Sequence, residues 1–366
     1  QDCANKFAVS QEMYGFPFTL PFPDMEHTRC LIVVGANPMV SMWSFLQIPN
    51  PGRALKGIEA RGGRVFFVDP RRTESAKVAG EHVFIRPGTD VFFYLSFLNE
   101  LIARGGVARE RVQRHMTGLA EIERLAEPWA PERTQEVTGI PAERLRQMVS
   151  AYLEADGAAL YCSTGVNMGG NGSLAFWVQE VINAVSGNLD RRGGTLVGRG
   201  IFDFARWGVK HGVLTRSERS RIGDFPLVND GFPGGILPDE ILTPGPGQIR
   251  ALFVTGGNPL ITMANSARLR DALKELELLV VTDLYMTPTA ELADYVLPAA
   301  AWPELNQIAG FPYVADNTVL AQQKVIQTGE CVQDEEIMIE LARRMQLDAN
   351  TEPLEEVIDA QLGVSL

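Results

Sequence analysis

Two stretches of the chain alternate short apolar runs with segments of helical periodicity. In the first stretch, residues 30–34 and 65–68 are continuous apolar runs, and Leu55 and Ile58 lie between them at helical spacing. A continuous apolar run that ends at a glycine or at an Asp-Pro pair is typical of a strand buried on both faces. The order strand, helix, strand predicts a βαβ unit and therefore a parallel sheet.

The same pattern continues along the chain and then returns after an interruption. Helices are predicted from residue 89 or 90 to 103 and from 141 to 155, followed by a strand over 158–162. Periodicity disappears over residues 198–248 among frequent Gly and Pro, which predicts a long irregular loop. The second stretch predicts a strand over 251–255, a helix over 264–276, a strand over 278–282, short segments over 289–293 and 295–297, and an amphipathic helix over 334–346.

Composition and charge narrow the functional classes. The 366 residues carry a formal net charge of −12 and are 45% hydrophobic, which is typical of a globular protein of two or three domains. The negative charge and the absence of a Lys/Arg run disfavour nucleic acid as a partner. No apolar stretch approaches the ~20 residues that a membrane span needs. The four cysteines and four histidines are too scattered to form a C-x-x-C pair or an H-E-x-x-H helix.

An internal repeat connects the two stretches. The first strand of each ends in a Gly-x-Asn-Pro turn, at residues 35–38 and 256–259. One helix and one strand later, both carry the pattern Asp-x-x-x-Thr-x-(Ser/Thr)-Ala-x-x-Ala, beginning at Asp69 and at Asp283. Either motif alone could be only a turn and a strand end. Because both recur in the same register, the sequence predicts one binding geometry built twice.

Each copy of the repeat has the chemistry of a nucleotide site at the carboxyl ends of parallel strands. Gly35 would let a ligand approach the backbone, and Asn37 offers a donor and an acceptor. The Asp69 carboxylate can accept two N–H groups, the pattern that a guanine base presents, and the Thr73 hydroxyl can contact a ribose or phosphate. We therefore expect an α/β fold of two related Rossmann-like dinucleotide-binding domains with parallel sheets and flanking helices, over residues 1–170 and 171–366, the second incomplete.

At these residues the chain resembles the molybdopterin oxidoreductases of the dimethyl sulfoxide reductase family, and most of all its branch of formate dehydrogenases and acetylene hydratase. The resemblance extends over nearly the whole chain. It rests on ordered segments that include residues 35–38, 68–76, 85–90, 137–143, 165–167, 186–189, 256–259, 282–290 and 293–298.

The resemblance implies two molybdopterin guanine dinucleotides that hold one molybdenum or tungsten. It assigns one dinucleotide to Gly35, Asn37, Pro38, Asp69, Arg71, Thr73, Pro87, Gly88 and Asp90, and the other to Gly256, Asn258, Pro259, Asp283 and Thr287. It also implies that Gly165 and Asn167 lie near the pterins. Arg71 suits a phosphate or a guanine carbonyl, although an exposed arginine at a strand end needs no ligand.

The resemblance further implies a longer protein with a small-molecule substrate. A 4Fe-4S cluster motif is expected in a segment before Gln1, and a closing barrel domain is expected after Leu366. An iron–sulfur electron-transfer subunit is a candidate partner. The compartment, cytoplasm or periplasm, stays open, and no membrane span is expected in this chain.

Three positions depart from the pattern of formate dehydrogenases. Alignment of the segment around Cys3 places Phe7 at the metal-ligand position and Ala8 at the histidine that follows it, and an ungapped match places Trp177 at the catalytic arginine. A phenyl ring cannot ligate a metal, and an indole cannot pair with a carboxylate. We therefore expect the protein not to oxidise formate. Phe7, Trp43 and Trp177 are instead candidates for an apolar substrate channel or for ordinary core positions, and Cys3 stays an alternative ligand.

Two rival interpretations remain. A cofactorless structural relative, such as the large iron–sulfur subunit of respiratory NADH dehydrogenase, would keep the fold without molybdenum. A two-domain nucleotide-binding protein would keep both copies of the nucleotide site without binding a pterin. Retention of both Asp/Thr motifs favours the molybdopterin interpretation over the first rival.

Overall fold

The computed structural model describes residues 3–42, 48, 50–198, 203–309, 320–326 and 329–347. Contacts divide these residues into two compact units. The amino-terminal unit holds the described residues up to 218 together with 226–231. The carboxyl-terminal unit holds residues 219–225 and 232–309 and the described residues from 320 onwards.

Helices and strands of the amino-terminal unit alternate from its start. The helices are α1 (Ala4–Tyr14), α2 (Pro38–Ser41), α3 (Pro51–Ala60), α4 (Glu74–Val78), α5 (Asp90–Ala103), α6 (Arg109–His115), α7 (Leu119–Ala126), α8 (Pro131–Thr138), α9 (Ala142–Glu154), α10 (Thr164–Asn167), α11 (Gly172–Val185) and α12 (Phe204–His211). The strands are β1 (Phe22–Pro23), β2 (Cys30–Val34), β3 (Arg64–Val68), β4 (Glu81–Val83), β5 (Ala158–Cys162) and β6 (Thr195–Leu196).

The main sheet of this unit is parallel, in the order β4-β3-β2-β5, as the βαβ pattern predicts. Alternate residues of β2 point to opposite faces. Ile32 and Val34 join a core formed with α5, α9 and α11, whereas Leu31 and Val33 join a core formed with α3. Helices thus cover the sheet on both sides, which explains why β2 is apolar at every position.

The carboxyl-terminal unit repeats the design on a smaller scale. Its helices are α13 (Leu237–Leu242), α14 (Pro259–Thr262), α15 (Ser266–Lys274) and α16 (Asp334–Arg344), and its strands are β7 (Ala251–Thr255), β8 (Leu278–Asp283), β9 (Tyr295–Pro298), β10 (Gln307–Ala309) and β11 (Leu320–Gln322). Strands β7, β8 and β9 form a parallel sheet, and β10 pairs antiparallel with β11. Leu269 and Leu273 of α15 pack with Leu279 and Val281 of β8 in its core.

The division between the units differs from the boundary expected at residue 170. Helix α11 belongs to the amino-terminal unit because its buried face, which includes Val178 and Ile182, packs in the same core as β2 and β5. The stretch expected to be an irregular loop over 198–248 contains α12 and α13. These helices have only eight and six residues, too short to show a clear helical period in the sequence.

Candidate functional site

The carboxyl ends of three parallel strands define the first candidate site. Val34 is in register with Val68 on one side and with Cys162 on the other, so the residues that follow all three strands lie along one edge of the sheet. A cavity of about 250 Å³ opens there. Its lining includes the predicted residues Gly35, Asn37, Asp69, Arg71 and Thr73, and also Ser163 and Thr164, which follow β5 and which the sequence interpretation missed.

Gly35 is required by close contact within the protein. Its φ of +55° lies in the left-handed region, and a Cβ added to it would lie 2.8 Å from the Val166 amide nitrogen. The Gly165 amide donates to the Gly35 carbonyl at 2.9 Å. The neighbour that excludes a side chain at Gly35 is therefore the turn after β5, whereas the sequence interpretation assigned that role to a ligand.

Asn37 connects its turn to the next strand-end motif. Its Oδ1 accepts from the Ser75 hydroxyl at 2.7 Å and from the Ser75 amide at 3.2 Å, and its Nδ2 donates to Glu74 at 2.6 Å. The Ser75 hydroxyl in turn accepts from the Met39 amide at 3.0 Å. The Asn37 side chain thus fixes the shape of the turn, with its oxygen bonded to Ser75 and its nitrogen bonded to Glu74.

The second copy of the repeat forms the corresponding hydrogen bonds. The Thr289 hydroxyl donates to Asn258 Oδ1 at 2.7 Å and accepts from the Leu260 amide at 3.3 Å. Asn258 has φ −123° and ψ 76°, against φ −126° and ψ 80° for Asn37. The internal repeat read from the sequence is therefore a repeat of three-dimensional geometry.

The two aspartates also cap equivalent turns. Asp69 Oδ1 accepts from the Arg71 amide at 2.8 Å, and Asp283 Oδ1 accepts from the Tyr285 amide at 3.0 Å. The Thr73 hydroxyl accepts from the Ala76 amide at 3.2 Å. Thr287 forms the corresponding bond with the Ala290 amide, also at 3.2 Å. In each copy, one carboxylate oxygen is held by the turn.

The Asp69 carboxylate lines the first cavity and interacts electrostatically with Asp90, which lies outside that lining. Burial raises the pKa of Asp69, although the Arg71 amide and the charges of Arg71 and His82 partly oppose the rise. Burial also raises the pKa of Asp90, the first residue of α5, and the negative charge of Asp69 adds to that rise. Among the described residues, no cation lies within ion-pair distance of either carboxylate. Two carboxylates without a neighbouring cation favour a ligand that offers N–H donors.

Arg71 is engaged with Glu74. Both terminal nitrogens of its guanidinium donate to the Glu74 carboxylate at 3.1 Å, which is the first reason that the pKa of Glu74 falls to about 2. Both side chains are about half exposed. Arg71 lines the cavity, so a phosphate would have to compete with an exposed carboxylate for the same guanidinium.

The remaining predicted residues lie in several environments. Pro38 and Pro259 are the first residues of α2 and α14. Pro87 and Gly88 are exposed in the turn before α5, outside the cavity lining.

Gly256 has a φ of +58° and, unlike Gly35, no atom within 4 Å of an added Cβ. Asn167 is buried, and its carbonyl accepts from the Asn5 side chain at 2.7 Å.

Of the three positions expected to depart from formate dehydrogenases, two are aromatic, Phe7 and Trp177. The Phe7 ring stacks on Phe18 with a centroid distance of 4.6 Å. Trp177 is half-buried and lines a different cavity from the strand-end site. Cys3 stands half-buried at the position before α1, and Trp43 lies outside the described residues.

The described residues contain neither a cluster of metal-ligating side chains nor a membrane-spanning helix. No group of three or more His, Cys, Asp or Glu side chains there is placed to hold a metal ion. Across the same ranges, no helix has the length and apolar character that a bilayer crossing needs.

A family model and several known proteins match this chain. A family model described as "Molybdopterin oxidoreductase" matches residues 1–344. The chain is 24% identical to the F420-dependent formate dehydrogenase subunit alpha of Methanocaldococcus jannaschii over 88% of this chain and 48% of the relative. It is 26% identical to the acetylene hydratase of Syntrophotalea acetylenica over 89% of this chain and 48% of the relative.

A solved structure of acetylene hydratase from Pelobacter acetylenicus has the same fold. Its TM-score is 0.80 at 23% identity, over 98% of this chain and 53% of that one. The chain therefore spans about half the length of these relatives. Formate dehydrogenase H of Escherichia coli (strain K12) is also similar, with 24% identity over 77% of this chain and 40% of the relative.

Proposed function

Because the chain belongs to the molybdopterin oxidoreductase family, we propose that each of its two half-sites holds the guanine dinucleotide arm of one molybdopterin. The observation that carries this proposal is the repeated geometry: an Asn turn bonded to a hydroxyl, beside an Asp that ends a parallel strand. Two copies of one binding geometry suit two copies of one ligand.

The first half-site fits part of a guanine dinucleotide. Its cavity of about 250 Å³ is smaller than the ~300–1,000 Å³ that encloses a whole drug-sized ligand. Asp69 keeps one carboxylate oxygen beyond the bond to the Arg71 amide, and that oxygen suits the N–H groups of guanine. Arg71 suits a phosphate, and Thr73 lies in the same lining. We therefore assign base recognition to Asp69 and phosphate recognition to Arg71.

The second half-site has a related but distinct set of groups. Tyr285 stands at the place of Arg71 in the repeat, and its side chain is exposed. Pro288 stands at the place of Glu74, so Asn258 lacks the carboxylate partner that Asn37 has. Asp283 keeps the role of Asp69. The second arm would thus be held by Asp283, Thr287 and the Gly256–Pro259 turn.

The cofactor supplies two-electron chemistry at molybdenum or tungsten, and this chain supplies binding and orientation. Asp69, Thr73, Asp283 and Thr287 lie on turns fixed by hydrogen bonds from their side chains to backbone amides, so these turns are preorganised. An electron-transfer subunit with iron–sulfur clusters is the proposed partner, since similar proteins are described as alpha subunits. The substrate is proposed to be a small molecule.

The same proposal excludes formate as the substrate. Phe7 and Trp177 stand where the resemblance places a metal ligand and a catalytic arginine, and both side chains pack against apolar neighbours. Neither can bind a carboxylate through charge. Formate should therefore not reduce an artificial electron acceptor in the presence of the metal-loaded protein, and turnover of formate would contradict this exclusion.

Cofactor content tests the proposal directly. The whole protein that contains this chain would be produced in a host that makes molybdopterin guanine dinucleotide, and metal and released guanine nucleotide would be quantified. We expect stoichiometric molybdenum or tungsten and about two guanine nucleotides per metal. Asp69→Asn with Asp283→Asn should lower the guanine content, whereas the exposed Asp271→Asn should not. A protein with neither metal nor guanine nucleotide would contradict the proposal and favour a cofactorless relative.

A further inference from the structure

A second cavity of the amino-terminal unit shares no lining residue with the strand-end site. Its volume is about 720 Å³, which lies within the ~300–1,000 Å³ range of small-molecule sites. Residues of α1, α6, α7 and α11 line it, together with the turns beside them. It therefore lies among the helices of this unit and not at the ends of its strands.

The walls of this helical cavity are mainly apolar. Met13, Met116, Leu119, Ile122 and Trp177 all line it, and each is a partly buried side chain packed against the main core of the unit. Because their inner sides contact the core, their outer sides present apolar surface to the cavity. An apolar body placed there would be removed from water on several sides.

Hydrogen bonds hold the walls in place. The Tyr14 hydroxyl donates at 3.0 Å to Glu180, a carboxylate that is only 1% exposed. The Arg111 guanidinium donates to the Leu189 carbonyl at 2.6 Å and to the Asp190 carbonyl at 3.3 Å. Tyr14 and Arg111 both belong to the lining, so the cavity is formed before any ligand arrives.

The charges of the lining disfavour an anion. Arg111 is the lining guanidinium, and it is engaged with two backbone carbonyls. Glu12 and Asp190 add two carboxylates, and His115 adds an imidazole. A carboxylate or phosphate ligand would thus meet more negative than positive charge, whereas an uncharged molecule would leave the existing contacts undisturbed.

We propose that this helical cavity binds an uncharged, mainly apolar small molecule, with Trp177 as its principal contact. A planar aromatic ring fits the chemistry of the walls because offset or edge contacts with an indole add to the burial of apolar area. This cavity shares no lining residue with the strand-end site, so its ligand binding can be measured separately from the cofactor content.

Two probes that share a fluorophenyl ring test this proposal. Fluorobenzene and 4-fluorobenzoate would be titrated into the whole protein that contains this chain, with binding followed by fluorine NMR. We expect saturable binding of fluorobenzene and about tenfold weaker binding of 4-fluorobenzoate, because the two differ by one negative charge. Equal binding of the two probes, or no saturable binding of fluorobenzene, would overturn the proposal.

A matched pair of tryptophan variants locates the binding. Trp177→Ala should weaken fluorobenzene binding about tenfold. Trp129→Ala removes the same ring from a side chain that packs on the same core but contacts Phe92 and Arg133 outside this lining, and it should leave binding unchanged. If Trp177→Ala does not fold, Met116→Gln places a polar group in the wall at similar volume and should weaken binding as well. Equal effects of the wall and control variants would overturn the assignment.

Discussion

The main chain of Gly165 lies directly against that of Gly35. The Gly165 amide donates to the Gly35 carbonyl at 2.9 Å, and a Cβ built on Gly165 would lie 2.7 Å from that same oxygen. The turn after β2 and the turn after β5 are thereby held together at the edge of the sheet. The position of the candidate half-site depends on this contact.

Replacement of Gly165 by alanine should destabilise the amino-terminal unit. The added methyl group meets backbone atoms that cannot move without separating the two turns, so we expect a loss of about 1–3 kcal/mol in the free energy of unfolding. Gly170→Ala is the matched control, because Gly170 is exposed and no atom lies within 4 Å of its added Cβ. Denaturant unfolding measures both, and equal stability of the two variants would contradict the role assigned to the contact.

The sequence predicts the two Gly-x-Asn-Pro turns but not the contacts that hold the first of them in place. Gly35 and Asn37 were identified from the repeated Gly-x-Asn-Pro pattern, and both line the cavity. The partner of Gly35 is Gly165, which is 130 positions away in the chain, and no local pattern reports a contact of that range. Ser163 and Thr164 were missed for the same reason, since their place in the site follows from the register of β5 with β2.

The hydroxyls of Ser75 and Thr289 should have the same role in the two units. Both residues are 0% exposed, and each hydroxyl joins an Asn side chain to a backbone amide. Ser75→Ala and Thr289→Val leave that amide without its partner, which should cost about 1–3 kcal/mol in each unit. Hydrogen exchange should become faster at the Met39 amide in the first variant and at the Leu260 amide in the second.

Thr262→Val provides the control for the Thr289 variant. Thr262 is exposed, and its hydroxyl donates to the Asn258 carbonyl at 3.1 Å. Its loss should change stability by less than about 0.5 kcal/mol. Similar losses in Thr262→Val and Thr289→Val would show that the buried network is not what stabilises the turn.

Asp69 should make the stability of the amino-terminal unit depend on pH. Burial raises its pKa in the folded state, so the folded protein binds more protons than the unfolded chain between about pH 3.9 and the raised pKa. Stability therefore falls as pH rises through that window, and the penalty is complete above it. The unfolding free energy of Asp69→Asn, relative to wild type, should increase with pH across the same window.

The same variant should also change Asp90. The negative charge of Asp69 contributes to the raised pKa of Asp90, although burial is the larger cause. Removal of that charge should lower the Asp90 pKa part of the way toward its ordinary value, which a carbon-13 NMR titration of the carboxyl can follow. Asp271→Asn should leave the titration unchanged, and an unchanged Asp90 pKa in Asp69→Asn would disprove the coupling.

The side chains that pack inside the protein show where inference from sequence stops. The continuous apolar run from Cys30 to Val34 correctly predicts a strand that is buried on both faces. Periodicity does not predict where the Trp177 side chain packs. Its place in the helical cavity depends on α1, α6 and α7 meeting α11, and α6 and α7 are too short to be recognised by periodicity.

Arg71 should contribute to guanine nucleotide binding through its charge. GDP carries the base and the diphosphate expected at the first half-site, and its binding can be measured by calorimetry at low and high salt. Arg71→Met should weaken binding about ten- to 150-fold, since a charge-assisted hydrogen bond contributes about 1.5–3 kcal/mol. Glu74→Gln should tighten binding severalfold by releasing the guanidinium from its carboxylate, at little cost in stability because the ion pair is exposed.

Arg72→Met is the control, because the exposed Arg72 is the next residue and lies outside the cavity lining. Equal effects of the two arginine variants, or a loss at Arg71 that does not diminish with salt, would contradict a phosphate contact.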